Sequence, residues 1–306
     1  MPYLSMAALQ LELCVEDNLS VLEKEIDLVK NRFPWVQLVV LPELCTFGPD
    51  PDLAVGMPGE VENCFREAAL KNDLWLIPGS IFERQGGDVY NTAPVINPKG
   101  EVVARYRKQY PFLPYEKGIT AGDKFVVFDI PGAGRIGLII CYDMWFPEMV
   151  RNLAWMGAEA IICPSLTNTI DRKVELAIAQ ANAATNQVYF LNLNSAGRLA
   201  VGESIFVGPD GQVIHKAGVG REIITVEMDF SHLRRVRERG MYGLCQTLKS
   251  FRDHDIEFPV YNDPEHNPGA FGELGALEVP KRELLEESSK QGEPNWTGKQ
   301  EKTGST

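Results

Sequence analysis

The sequence lacks the marks of several large protein classes. None of its 306 residues fall in an apolar run of about 18, so no segment reads as a bilayer-spanning helix. Basic residues are the minority: 30 Lys and Arg against 42 Asp and Glu give a net charge of −12. Such a surface repels phosphate, which argues against nucleic-acid and anionic-membrane partners. Cysteine is sparse. The six (Cys14, Cys45, Cys64, Cys141, Cys163, Cys245) form no CxxC pair. That spacing gives no zinc motif and points to free thiols in a reducing, cytoplasmic setting. The four histidines, His215, His232, His254 and His266, share no ligand spacing, so no metal is expected. Neither a P-loop nor a GxSxG nucleophile elbow occurs. The first ten residues lack the basic stretch of a signal peptide and read as a strand.

What is present is an ordinary globular composition, 44% apolar and 24% charged. Strand-like apolar stretches cover residues 3–13, 35–41 and 74–83. Residues 18–33 and 60–72 carry apolar positions at helical spacing. Residues 89–108 read as a hairpin turning at Asn97-Pro98-Lys99-Gly100. The second half repeats the order. Strands are expected over 124–130, 135–140, 158–163, 188–194 and 222–228, and helices over 147–156 and 172–186. This alternation implies an α/β fold, with two similar sheets packed on each other and helices outside. Gly132 to Gly137 matches GxGxxG, but a strand follows where a nucleotide fingerprint needs a helix. A glycine-rich turn is the better reading.

Residues 231–240 read as a short basic helix. Residues 241–280 mix proline, glycine and aromatics like an extended arm. The last 26 residues, 281–306, are polar and read as a tail. The expected division is a body over 1–230, a C-terminal helix and extended arm over 231–280, and the tail; the arm's apolar anchors Phe251, Phe258, Tyr261 and Phe271 fit either a subunit interface or its own subunit.

Three residues resist explanation as packing. Glu43 follows a fully apolar strand in VVLPELCTFG, at the sheet edge where α/β folds place their sites. The bland alternative is a strand-end surface residue. Cys141 ends the apolar run in GLIICYDMWFPE, just before a helix. A thiol there would feel the helix N-terminus, which lowers its pKa and makes it the first of the six to be alkylated. The alternative is a buried core cysteine. Lys108 closes a strand in VVARYRKQYPF, where a solvated lysine is the default.

Taken together, these motifs resemble the nitrilase, or carbon–nitrogen hydrolase, superfamily over about residues 3–230. In that family a Glu, a Lys and a Cys follow in this order, each at a strand end. Glu43, Lys108 and Cys141 match them, and Glu116 in LPYEKG matches a second family glutamate. The resemblance implies a four-layer α-β-β-α sandwich of two mixed sheets, catalysis without metal or organic cofactor, and a homodimer or larger homo-oligomer. It also implies the roles. Glu43 is the general base, Cys141 the nucleophile, Lys108 and the Tyr142 backbone N–H the oxyanion donors, and Glu116 the partner of Lys108. Cys141-Tyr142-Asp143 looks like the amidase branches rather than the Cys-Trp-Glu of nitrilases. The expected activity is hydrolysis of a small carboxamide through a thioester. Trp145, Thr167 and Asn168 are candidate pocket residues. An N-carbamoyl hydrolase, with Arg172 for a substrate carboxylate, is the second reading. A nitrilase and a non-catalytic binding protein on the same fold stay open.

Overall fold

The computed structural model describes residues 2–262 and 269–279. The expected tail lies outside them. In chain order the first strands and helices are β1 (Tyr3–Gln10), β2 (Glu12–Leu13), α1 (Leu19–Arg32), β3 (Leu38–Val40), α2 (Glu60–Asn72), β4 (Trp75–Ile77), β5 (Ile81–Gln85), β6 (Asp88–Ile96) and β7 (Val102–Arg107). There follow β8 (Val126–Asp129), β9 (Arg135–Leu138), α3 (Pro147–Trp155), β10 (Ala160–Ser165), α4 (Arg172–Asn186) and β11 (Tyr189–Asn194). The remainder are β12 (Ala196–Gly197), β13 (Ile205–Val207), β14 (Val213–Lys216), β15 (Glu222–Asp229), α5 (Phe230–Arg239) and α6 (Thr247–Arg252).

Two mixed sheets carry the fold. The first runs β15-β1-β3-β4-β6-β5, with β7 also paired to β6. The second runs β14-β13-β11-β10-β9-β8. In each, three neighbouring strands run parallel (β1, β3 and β4; β9, β10 and β11), and antiparallel strands flank them on both sides.

Side-chain alternation explains the layering, because successive residues of a strand face opposite sides. On β1, Leu4, Met6 and Ala8 join Leu38, Val40, Ile77 and Val95 in the core shared with the second sheet. Ala7 and Leu9 turn the other way, onto Leu22, Ile26 and Val29 of α1 and Phe65 and Ala69 of α2. Met149, Val150 and Leu153 of α3 and Leu176, Ala179 and Ala183 of α4 pack on the second sheet. The result is the expected α-β-β-α sandwich.

Some expected boundaries shift. The strand expected over 74–83 is two, β4 and β5, broken at Pro78-Gly79-Ser80. Gly79 adopts φ +71° there, a left-handed conformation that favours glycine. The Gly-rich run at 132–137 is a turn over 132–134 running straight into β9, not a nucleotide loop, and Gly132 has φ +78°. The α5 helix buries Phe230, Leu233 and Val236. Beyond it, the chain folds back on α3. Phe251 packs edge-on to Trp155 at 5.9 Å, Arg151 lies over the Phe251 ring, and the Tyr261 hydroxyl donates to Glu148 at 2.6 Å. Among the described residues no helix is long and apolar enough to cross a membrane.

Candidate active site

Three strand ends converge on one cavity. Glu43 follows β3, Lys108 follows β7, and Cys141 follows β9. The first two belong to the first sheet and the third to the second. All three side chains are buried, Glu43 and Lys108 at 2% exposure and Cys141 at 9%. They line a cavity of about 560 Å³ together with Glu116, Tyr142, Trp145, Thr167 and Asn168. All eight residues expected at the site are therefore brought together.

The segment carrying Glu43 is held by its neighbours. The Leu44 N–H donates to the Ser80 hydroxyl at 3.2 Å, and the Cys45 thiol donates to Pro78 O at 3.5 Å. The approach is so close that a Cβ on Gly79 would lie 1.7 Å from Pro42 O. Leu44 itself has φ +49° and Cys141 φ +47°. A non-glycine residue in that region costs about 1–2 kcal/mol, so both turns are strained against their surroundings.

The Lys108 ammonium donates to Glu43 Oε1 at 2.9 Å and to Glu116 Oε2 at 2.8 Å. Glu116 Oε2 also accepts from the Phe112 N–H. The Asn91 amide, on β6, donates to Glu43 Oε1 at 2.8 Å. An ammonium carries three N–H donors, so one remains for a ligand oxygen in the cavity. Removing such a charged group from water is unfavourable, and two carboxylates offset that here.

The pKa directions follow from burial and neighbours. Burial raises Glu43 above the usual 4.5, with Lys108 opposing and Glu116 adding to the rise. Burial pulls Lys108 down, but Glu43, Cys141 and Glu116 outweigh it, so the ammonium persists well above 10.5. Burial and then the Glu43 charge push the Cys141 thiol well above 9.0, with Lys108 opposing. The expectation of a helix-activated thiolate is thereby corrected. Cys141 opens a single five-residue 3-10 turn, too short to offset the loss of water. It rests as a thiol, its proton held by burial and by the nearby Glu43 charge.

On the other side of the thiol, Thr167 Oγ1 lies 3.9 Å from Cys141 Sγ and donates to Glu175 Oε1 at 3.1 Å. Arg172 does not reach the cavity. It is buried behind Glu175, donating to Glu175 Oε2 at 2.9 Å, to Asn192 Oδ1 and to Glu203 O at 2.8 Å. A substrate carboxylate cannot pair with it, because its charge already has a buried partner. The exposed cation lining the cavity is Lys117.

Sequence reasoning missed Asn91 and Glu175. Asn91 sits mid-strand in YNTAP with no local signal. Glu175 had one: a carboxylate on the apolar face of a helix, beside Leu176 and Ala179. The aromatic walls, Phe82, Phe112 and Tyr115, also went unassigned because packing explains them equally well.

The carbon–nitrogen hydrolase family model matches residues 5–238. Omega-amidase NIT2 of Mus musculus is 32% identical over 257 residues, covering 77% of this chain and 91% of that protein. Nit3 of Saccharomyces cerevisiae, a nitrilase-superfamily member, superposes with a TM-score of 0.72 at 30% identity, over 78% of this chain and 94% of Nit3. A variant of the amidase from Nesterenkonia sp. AN1, in complex with butyramide, gives 0.69 at 25% identity, over 77% and 94%. The chain belongs to the carbon–nitrogen hydrolase family, in the amidase-like branch of the nitrilase superfamily, and is an amidase-type hydrolase of non-peptide carbon–nitrogen bonds.

Proposed function

We propose that the chain converts a small carboxamide to a carboxylic acid and ammonia through a thioester on Cys141. The observation that carries this reading is the Lys108 ammonium held between Glu43 and Glu116 against a buried thiol. Glu43 takes the thiol proton as sulfur attacks the amide carbon, because the thiol is not ionised at rest. The third Lys108 N–H and the Tyr142 backbone N–H, in the first turn after the strand, receive the oxyanion. One such donor is worth about 3–4 kcal/mol. Glu43 then gives its proton to the leaving nitrogen, and ammonia departs. A water, deprotonated by Glu43, attacks the thioester and releases the acid and the thiol. Glu116 holds Lys108 in place and faces the substrate nitrogen. Trp145, Thr167 and Asn168 surround the acyl group. No step calls for a metal or an organic cofactor.

The substrate scale has support in the butyramide bound by the Nesterenkonia relative and in the omega-amidase name of the mouse relative. An N-carbamoyl substrate is the second reading. It now rests on Lys117 for a carboxylate, since Arg172 is engaged. Ammonia release across carboxamides, N-carbamoyl compounds and nitriles, with Cys141→Ala as control, tests the whole set. Release from amides that vanishes in the variant supports the proposal. Release from nitriles or carbamoyl compounds alone replaces it, and no release from any leaves a binding protein.

The body over 1–230, arm over 231–280 and tail over 281–306 are kept as the proposed division. A homodimer or larger homo-oligomer and a reducing, cytoplasmic location belong to the same proposal. The arm's contacts with Trp155, Arg151 and Glu148 of its own chain favour an arm that wraps its own subunit.

A further inference from the structure

Asp143 is fully buried and does not line the cavity. Three donors converge on its carboxylate. The Tyr106 hydroxyl reaches Oδ2 at 2.7 Å, the Ile140 N–H reaches Oδ2 at 2.9 Å, and the Tyr110 N–H reaches Oδ1 at 2.8 Å. The positions of these donors matter more than their number. Tyr106 lies two residues before Lys108 and Tyr110 two after, so both ends of the lysine's segment are tied to one side chain. Ile140 immediately precedes Cys141, whose strained left-handed turn Asp143 closes. Tyr106 is on β7 of the first sheet, whereas Ile140 and Asp143 follow β9 of the second. The Tyr110 ring also stacks on Phe146, just past the same turn, with centroids 3.6 Å apart.

We propose that Asp143 is a positioning residue that sets the Lys108 ammonium against the Cys141 sulfur by clasping the two sheets at the cavity floor. It touches no substrate. It acts by fixing where the oxyanion donor stands when the thiol attacks. A carboxylate suits the place because all three neighbours are donors and only an acceptor on both oxygens satisfies them. Burial pushes Asp143 up to about 6, and the bonds from Tyr106 and Ile140 oppose the rise, so it is ionised at neutral pH.

The proposal rests on the amidase reading, and the test separates the two. In Asp143→Asn one amide N–H must face a donor. Keeping the remaining oxygen on Tyr106 and Ile140 unties Tyr110. Tyr106→Phe unties the other end and removes only a hydroxyl. Steady-state kinetics on an amide that the wild type hydrolyses, with thermal melting alongside, give the readout. Each variant is expected to lose about 10²-fold in kcat, the scale of a misplacement near 1 Å, while KM changes less than about threefold. A folded variant with wild-type kcat, or one in which KM alone rises, overturns the proposal. If Asp143→Asn does not fold, Tyr106→Phe decides by the same criterion. A wild type with no amidase activity would instead remove the amidase reading.

Discussion

Around the cavity the first sheet supplies Glu43, Asn91 and Lys108, and the second supplies Cys141, Thr167 and, through α4, Glu175. In the first group the Lys108 and Glu43 charges are paired with each other, with Asn91 and with Glu116 before any substrate arrives. The second holds a neutral thiol on strained backbone, with no cation of its own facing the sulfur, since Arg172 is taken by Glu175. Neither wall is reactive alone. The charges have nothing to attack with, and the thiol has a pKa raised by burial. Reactivity arises where Glu43 meets Cys141, so proton removal and attack belong to one event.

That contrast is broken most completely from the thiol side. Cys141→Ala is expected to abolish turnover, on the order of the 10⁶-fold seen when a covalent nucleophile is removed, with melting nearly unchanged. Ammonia release above a mock preparation would sink the assignment. Next comes the charged wall. Lys108→Met leaves Glu43 and Glu116 facing each other in a buried site, a loss of about 3–5 kcal/mol of stability as well as activity. Denaturant unfolding checks it; a variant as stable as wild type would show that the carboxylates did not need their cation.

Gly79→Ala should be smaller but tests both walls at a distance. Its Cβ must displace Pro42 and with it Glu43, and the left-handed backbone adds about 1–2 kcal/mol of strain. Reduced kcat with Cys141 intact is the expected outcome, and normal kinetics would mean the Glu43 turn yields freely. The pH profile sharpens the picture further. A raised Glu43 pKa means that the base is lost as pH falls, so the acid limb of kcat/KM should lie above 4.5. A limb at or below that value contradicts a buried base. The mildest test is chemical. A general alkylator should reach exposed Cys245 before Cys141, because burial holds the Cys141 proton on sulfur. Peptide mass mapping reads both, and preferential general alkylation of Cys141 would show the thiol to be ionised after all.

The comparison also explains what was legible in the sequence. Glu43, Lys108 and Cys141 stood out because they follow in the family's order, each at a strand end, although each alone has a bland reading as a surface or core residue. Asn91 did not, because it lies within a strand and matters only through a carboxylate far along the chain. Arg172 was misread for a related reason. Its counter-charge, Glu175, is one helical turn away, but whether that pair faces solvent or core depends on α4 packing over the second sheet. The layers were readable from alternation. The break at Gly79 was not, because a short apolar strand and two shorter ones share one pattern.

The pairing of β15 with β1 has a consequence for how the enzyme comes into being. Tyr3 meets Asp229 and Gln10 meets Glu222, so β1 waits for β15, which is made far later. β1 in turn flanks β3, which leads to Glu43. A ribosome must therefore release most of the chain before the base has a settled place, and contacts so distant in sequence fold slowly. During that interval Cys141 is already synthesised and still accessible to oxidants, so the nucleophile is most vulnerable before it is functional.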